Sequence, residues 1–349
     1  MDQRSRRYRN ADRYHSICSA MKFAVLGAGG WGTAIARLLA NHGHETVLWA
    51  RDPDRAAIID RERCNSKYLP GVTLPEKLVI TADFPSVVAA DVLVFGVPSI
   101  GMPALLARIV ASESPPRIAI NLAKGMDRAT HQTMSELISN SLPNASVFTL
   151  SGPSHAEEVG RDAPTAVVLA GTDLDLGRTL QHEISTSRFR VYLSEDIRGV
   201  ETCSTIKNVI ALATGISDGL GYGDNSRGAL ITRGLAEMVR FGRHFGVQDA
   251  TFFGLSGLGD LVATCTSRHS RNRAVGVRLG RGECLDDIMG DMAMVAEGVF
   301  ATNVVGELAR ERDIDMPITS AVHRLLRGEA DPLSLVDEMM TRSPKREDF

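Results

Sequence analysis

The sequence has no run of about 18 apolar residues, the length a bilayer-spanning helix needs, and a membrane protein is excluded on that reading. It has no cysteine spacing suited to a zinc site or a disulfide framework. Cys18, Cys64, Cys203, Cys265 and Cys284 are odd in number and form no C-x-x-C pair, which fits a reducing compartment. Charge of either sign is not in excess: the net charge of −3 gives no electrostatic case for nucleic acid, so any anion site must come from a local cluster. There is also no internal repeat and no low-complexity segment. The histidines are scattered, and His42 and His44, flanking Gly43, read as a helix C-cap region or as exposed side chains; no metal is expected. Residues 1–20 carry five arginines and little apolar content, so they lack the core of a secretory signal and read as a disordered basic extension ahead of Met21.

What remains is a 349-residue chain with a hydrophobic share of 44% and a charged share of 23%, globular in composition and long enough for two domains. Its organising stretch is Met21 to Trp49. Lys22 to Leu26 is an apolar run that stops at Gly27-Ala28-Gly29-Gly30-Trp31-Gly32; an apolar-periodic helix follows through Ile35, Leu38 and Leu39, and Glu45 to Trp49 reads as a second strand. In such a βαβ unit Gly27 permits the tight turn, Gly29 admits a pyrophosphate close to the backbone, and Gly32 lets helix and strand pack closely. The helix N-terminus offers N–H groups to the phosphates. At the end of the second strand, Arg51 favours a 2′-phosphate and hence NADP, while Asp52 beside it leaves NAD open. Asp52 and Pro53 also read as the cap and first turn of a helix reaching about Arg63.

Strand-like runs at Val79 to Thr81, Val92 to Val97, Arg117 to Leu122, Val147 to Leu150, Thr165 to Ala170 and Arg190 to Leu193 continue the β/α alternation. This predicts a doubly wound, mostly parallel sheet with helices on both faces over residues 21–197, with ligands at the carboxyl ends of the strands. Lys124, just beyond one of those strands, is placed to meet a phosphate or carboxylate. From Ile197 the period becomes helical, predicting an all-α domain over 198–349. The helix Val200 to Ile216 carries Lys207 between Cys203 and Ala211, and partial burial there would lower the lysine's pKa toward one suited to proton transfer. Asp260, in an apolar stretch, needs a cation partner, for which Lys207 is the candidate. Asn225 or Ser226 reads as the cap of a helix running to Phe245. Ser270-Arg271-Asn272 opens another helix and reads as an anion site. Met289, Met292 and Met294 read as core filler.

At this point the residues resemble a known family, the NAD(P)-dependent glycerol-3-phosphate dehydrogenases of the bacterial type. The likeness rests on GAGGWGTA at 27–34, NSKYLPG at 65–71, GVPS at 96–99, AKG at 123–125, SGPSHAEEV at 151–159, IKNVIA at 206–211, ITRGLAEM at 231–238, GLSGLGDLVATCTS at 254–267 and SRNR at 270–273. The resemblance implies an α/β fold of the Rossmann type, doubly wound with a mostly parallel sheet, followed by an all-α domain. It further implies a cytoplasmic homodimer that reversibly reduces dihydroxyacetone phosphate to sn-glycerol 3-phosphate for phospholipid synthesis. It makes Lys207 the proton donor and acceptor, and puts Lys124, Gly152, Ser154, Asp260, Ser270, Arg271 and Asn272 at substrate positions. Gly30, Trp31, Arg51, Lys124, Ala156, Arg271, Val295 and Glu297 fall at cofactor positions. The chain departs from the pattern in its basic extension, in Asp127, where a glutamate is common, and in Ser204-Thr205, where smaller residues often stand. Two other readings stay open on the residues alone: a hydroxyacid dehydrogenase with a helical lysine, and a silent NADP-sensing module.

Overall fold

The structure, a computed structural model, describes residues 21–112, 116–292, 296–344 and 346–347. The basic extension at 1–20, Met294 and Val295 lie outside the described residues. Ten strands are assigned: β1 Lys22–Leu26, β2 Glu45–Trp49, β3 Cys64–Asn65, β4 Leu69–Thr73, β5 Val79–Thr81, β6 Val92–Phe95, β7 Ile118–Asn121, β8 Ser146–Ser151, β9 Thr165–Gly171 and β10 Phe189–Ser194. Between them run helices α1 Gly30–His42, α2 Pro53–Glu62, α3 Phe84–Val88, α4 Met102–Val110, α5 Met134–Ser141, α6 Ala156–Val159 and α7 Leu174–Ile184. After β10 the chain is helical: α8 Ile197–Gly219, α9 Asp224–His244, α10 Asp249–Phe252, α11 Asp260–Thr266, α12 Arg271–Gly280, α13 Leu285–Asp291, α14 Glu297–Glu311, α15 Pro317–Leu326 and α16 Pro332–Thr341.

Eight strands form one sheet in the order β10-β9-β8-β7-β6-β1-β2-β5, parallel except where β8 meets β9. Strand alternation explains its two covered faces. Phe23 and Val25 point into a core with Ile35 and Leu39 of α1, whereas Ala24 and Leu26 point into the opposite core with Phe95, Leu106 and Ile138. The register pairs Leu26 with both Trp49 and Phe95, and Phe95 with Asn121, so the carboxyl ends of β2, β1, β6 and β7 stand in one row. The antiparallel β8–β9 pair follows from its connection. The segment between Ser151 and Thr165 contains only the single-turn α6, too little to carry the chain back along the sheet as a parallel crossover must.

In the helical part α8 is buried from Gly199 to Ser217, with α9, α11, α12, α14 and α15 packed around it. A helix buried on every side belongs at the centre of a core, and its polar residues there must find partners. Two expectations are corrected. The helix after it starts at Asp224 behind an extended Gly223, with no side-chain cap, so Asn225 and Ser226 lie within its first turn. His44 is buried against β1, its Nε2 2.7 Å from the Glu183 carbonyl, because the chain turns at Gly43 (φ +110) straight into β2.

Candidate functional site

The first βα turn meets the steric demands placed on it. Gly27 has φ +121, and a Cβ there would fall 2.8 Å from the Gly96 carbonyl oxygen; a Cβ on Gly32 would fall 2.1 Å from the oxygen of Gly27. Gly29 precedes α1 with no side-chain cap, and a Cβ on it would meet nothing nearer than Gly96 O at 3.9 Å. The first-turn N–H groups of α1 therefore open on unfilled space, the arrangement a pyrophosphate requires. The β3–β4 ribbon closes over this turn, with Tyr68 O at 2.7 Å from where a Gly30 Cβ would stand. Trp31 packs partly buried on the sheet core, its ring centroid 6.5 Å from that of Phe189.

Beyond β2, Arg51 and Asp52 divide their roles. The Asp52 carboxylate caps α2, accepting from Asp54 N at 3.0 Å and Arg55 N at 3.4 Å. Arg51 is exposed on the wall of a cavity of about 780 Å³, together with Arg55 and Tyr68. Arg55 lies 3.7 Å above the Tyr68 ring and donates to Ala28 O and Asn65 Oδ1. These residues fit a dinucleotide, with basic groups at the end where a ribose phosphate would sit.

The same cavity runs along the row of strand ends to α8 and α11. There Lys207, 3% exposed, donates to Asp260 Oδ1 at 2.7 Å and to Thr264 Oγ1 at 2.6 Å. The other oxygen of Asp260 lies 3.0 Å from Lys124 Nζ. Burial lowers the Lys207 pKa most; Asp260 pulls it back up, Lys124 pushes it down again, and it comes to about 7. Burial pushes Asp260 up, but the two ammonium groups outweigh it and keep the carboxyl below its usual range. Lys207 is thus fully buried, deeper than its sequence position suggests, and its carboxylate partner is shared.

Ser270 Oγ caps α12 by accepting from Arg273 N at 3.2 Å, and Arg271 and Asn272 follow on the cavity wall. The Asn272 amide spans two helices: Nδ2 donates to Asn208 Oδ1 at 2.8 Å and Oδ1 accepts from Gly298 N at 2.9 Å. Glu297 accepts from the backbone and hydroxyl of Ser99, at 3.1 and 2.7 Å, joining α14 to the end of β6. Burial raises the Glu297 carboxyl, the Ser99 bonds working against it.

Of the expected site residues, Gly27, Gly29, Gly30, Trp31 and Arg51 line one end of the cavity. Lys124, Ser154, Ala156, Lys207, Asp260, Ser270, Arg271, Asn272 and Glu297 line it as well, Ala156 beside Gly30. Gly32 and Gly152 are not on its walls. Gly32 packs behind the turn, and Gly152 acts through its carbonyl, which accepts from Lys124 Nζ at 3.4 Å and Ser154 Oγ at 2.9 Å. Val295 lies outside the described residues. Sequence reasoning missed Thr264, Asn208, Tyr68 and His155. Thr264 carried a signal, standing one helical turn after Asp260, whereas His155 reaches the cavity only because its Nε2 lies 3.4 Å from Ala263 O across the site. Of the three departures, the two within the described residues are absorbed locally: the Ser204 and Thr205 hydroxyls each donate to Glu201 O at 2.9 Å, and Asp127 Oδ2 accepts from Ala129 N, Thr130 N and Thr130 Oγ1.

Among the described residues no helix is long and apolar enough to cross a membrane, and no group of three metal-ligating side chains is found. Family models for the NAD-dependent glycerol-3-phosphate dehydrogenase N-terminus and C-terminus match residues 22–176 and 196–337. Glycerol-3-phosphate dehydrogenase (NAD(P)+) of Chlorobium phaeobacteroides is 44% identical over 333 residues, 94% of this chain and 100% of that protein. The corresponding protein of Chlorobium limicola is 46% identical over 331 residues, 94% of this chain and 99% of that one. The crystal structure of glycerol-3-phosphate dehydrogenase from Coxiella burnetii superposes with a TM-score of 0.88 at 37% identity, covering 93% of this chain and 99% of that one. With both halves matched and the relatives aligned almost end to end, the chain belongs to the NAD-dependent glycerol-3-phosphate dehydrogenase family.

Proposed function

We propose that this NAD(P)-dependent oxidoreductase reduces dihydroxyacetone phosphate to sn-glycerol 3-phosphate, reversibly, with Lys207 as the general acid and base. The observation that carries this reading is the buried Lys207–Asp260–Lys124 cluster on the wall of the cavity that begins at the glycine turn. A bound NAD(P)H supplies the hydride. Protonated Lys207 donates to the ketone oxygen as negative charge develops on it, and Lys124 adds positive potential to the same point. Asp260 and Thr264 hold the Lys207 side chain in one orientation. Arg271 and Asn272, at the start of α12, hold the substrate phosphate, with Ser154 and the Gly152 backbone shaping the opposite side. In the reverse direction neutral Lys207 accepts the alcohol proton.

NADP is the favoured carrier, because Arg51 and Arg55 stand at the ribose end while Asp52 commits one carboxylate oxygen, Oδ1, to the α2 cap. The family relationship supports a cytoplasmic homodimer that serves phospholipid synthesis and binds neither nucleic acid nor membrane; sedimentation of the purified chain tests the dimer. Oxidation of NADPH and of NADH, each followed with dihydroxyacetone phosphate, tests reaction and carrier together. Absence of turnover with both would overturn the reading.

A further inference from the structure

We infer that Glu201 and Asn121 form a latch between the two halves of the molecule that sets Lys124 against the Lys207–Asp260 pair, making Glu201 a positioning residue for proton transfer. The inference rests on the reading of Lys207 as proton carrier.

Glu201 stands on α8, the helix that carries Lys207, and is 2% exposed. Its carboxylate reaches out of the helical half. It accepts from Asn121 Nδ2 at 2.6 Å, from Ser135 Oγ at 2.5 Å and from Ser135 N at 3.1 and 3.2 Å. None of these partners is a cation. Burial raises the Glu201 carboxyl while these hydrogen bonds and that of Thr133 oppose it. A buried acid held only by neutral donors is costly to keep.

The use of the carboxylate lies in what Asn121 does next. Asn121 ends β7 and is fully buried. Its Oδ1 accepts from Ala123 N at 2.9 Å and its Nδ2 donates to Ala123 O at 3.1 Å, so one amide grips both sides of the residue that precedes Lys124. That grip works in one orientation of the amide only. Glu201 accepts from the same Nδ2 end, so the amide that grips Ala123 is also tied to α8. The chain of contacts then runs from Glu201 through Asn121 and Ala123 to Lys124, whose ammonium meets Asp260 at 3.0 Å, and returns through Asp260 to Lys207 at 2.7 Å. Both ends of this loop are on α8. An aliphatic residue at 201 would cut this tie and leave the buried Asn121 Nδ2 and Ser135 N–H groups short of an acceptor, so the end of β7 would move off α8 and Lys124 would withdraw.

Withdrawal has a signature that general loosening lacks. The groups facing Lys207 are Asp260 and Cys265 of α11, Lys124 from the loop after β7, and His155 ahead of α6. Of these, Lys124 holds the Lys207 proton affinity down. Moving it away leaves Asp260 to Lys207 alone, so the alkaline limb of the pH profile for ketone reduction moves to higher pH.

The experiment compares Glu201→Leu, Glu201→Gln and Asn121→Ala in the full chain, measuring kcat, KM for dihydroxyacetone phosphate, NADPH affinity and the pH profile. Glu201→Leu should lower kcat roughly 10- to 100-fold, the scale of a misplacement near 1 Å, keep NADPH affinity, and raise the alkaline limb. Glu201→Gln should retain most activity, since its Oε1 still accepts from the Asn121 Nδ2 end and the Ser135 hydroxyl can turn to accept. Asn121→Ala should reproduce the Leu variant, and decides the matter should that variant fail to fold. Wild-type kcat in the Leu or Ala variant, or a lowered kcat with an unmoved limb, overturns the latch. Lys207→Ala separates the two claims: full turnover in that variant sinks the proton-carrier reading and the latch with it, whereas a turnover loss there beside wild-type kcat in Glu201→Leu sinks the latch alone.

Discussion

Lys207 and Asp260 meet at 2.7 Å in a wall of the cavity where both are almost completely buried, yet the carboxylate does not neutralise the lysine alone, because its second oxygen is 3.0 Å from Lys124. One anion therefore serves two cations. The centre keeps a net positive charge in a medium of low polarity, and the more buried lysine is the one whose proton is loosened, to about 7.

A pH prediction follows with its sign fixed by direction of reaction. Ketone reduction needs the protonated lysine, so kcat/KM for dihydroxyacetone phosphate should be level below about 7 and fall about tenfold per pH unit above it. Alcohol oxidation needs the neutral lysine and should rise with pH through the same value before levelling. Lys207→Ala should cost roughly 10²–10⁴ in kcat while leaving NADPH affinity intact. Rate profiles in both directions check this; a reduction rate flat from about pH 6 to 9 would contradict it.

Asp260→Asn should move the limb the other way. Without the carboxylate, two ammonium groups face each other, Lys207 surrenders its proton more readily, and the alkaline limb of reduction moves below about 7. Turnover at neutral pH should drop while recovering in part at lower pH. A limb that stays in place would show that Asp260 does not govern the lysine.

The turn, the two lysines and the α12 start were legible in the sequence because each depends on a local pattern: glycine spacing after a strand, a lysine after a strand end, a serine ahead of a helical period. The sharing of Asp260 was not, since Lys124 and Asp260 are 136 positions apart and only the meeting of the two halves of the chain brings them together. The small ribbon escaped for a different reason. Pro70 and Gly71 inside β4 argue against a strand, and the element survives only as an edge, paired with the two residues of β3. Antiparallel β9 was hidden too, because its residues are those of any buried strand and the direction is set by the short connection before it. His44 read as exposed from its neighbours His42 and Gly43, and was buried by a carbonyl, that of Glu183, which no local pattern announces.

Arg51→Ala should discriminate between the carriers. The guanidinium is exposed, so its contribution to a 2′-phosphate contact should be about 1 kcal/mol, or a rise of about fivefold in KM for NADPH, with NADH unchanged. Equal effects on both carriers would remove Arg51 from ribose recognition.

Arg271→Ala should act on substrate rather than carrier. KM for dihydroxyacetone phosphate should rise about 10- to 100-fold, the loss of one charge-assisted contact of about 1.5–3 kcal/mol, with NADPH affinity changed less. Inorganic phosphate should also lose its competition with substrate. An unchanged KM would refute the phosphate role.

The spacing between that phosphate fork and Lys207 is set by glycines where α8 crosses α12. A Cβ on Gly276 would come 2.2 Å from Leu212 O and 2.9 Å from the Cα of Gly215, both backbone positions with no side chain to swing aside. Gly276→Ala must therefore push the helices apart. Because α12 opens at Arg271 and is tied to α8 through the Asn272–Asn208 bond of 2.8 Å, the shift should strain that bond and move the fork away from the lysine. Stability should fall by about 1–3 kcal/mol, as in overpacked cores, and KM for dihydroxyacetone phosphate should rise more than KM for NADPH. Gly228, inside α9 with nothing within 4 Å of a Cβ, is the control: alanine there should be neutral or stabilise by up to about 1 kcal/mol through helix propensity. Thermal unfolding and the two KM values measure both variants, and equal stability in the pair would mean that the glycine crossing does not hold the fork in place.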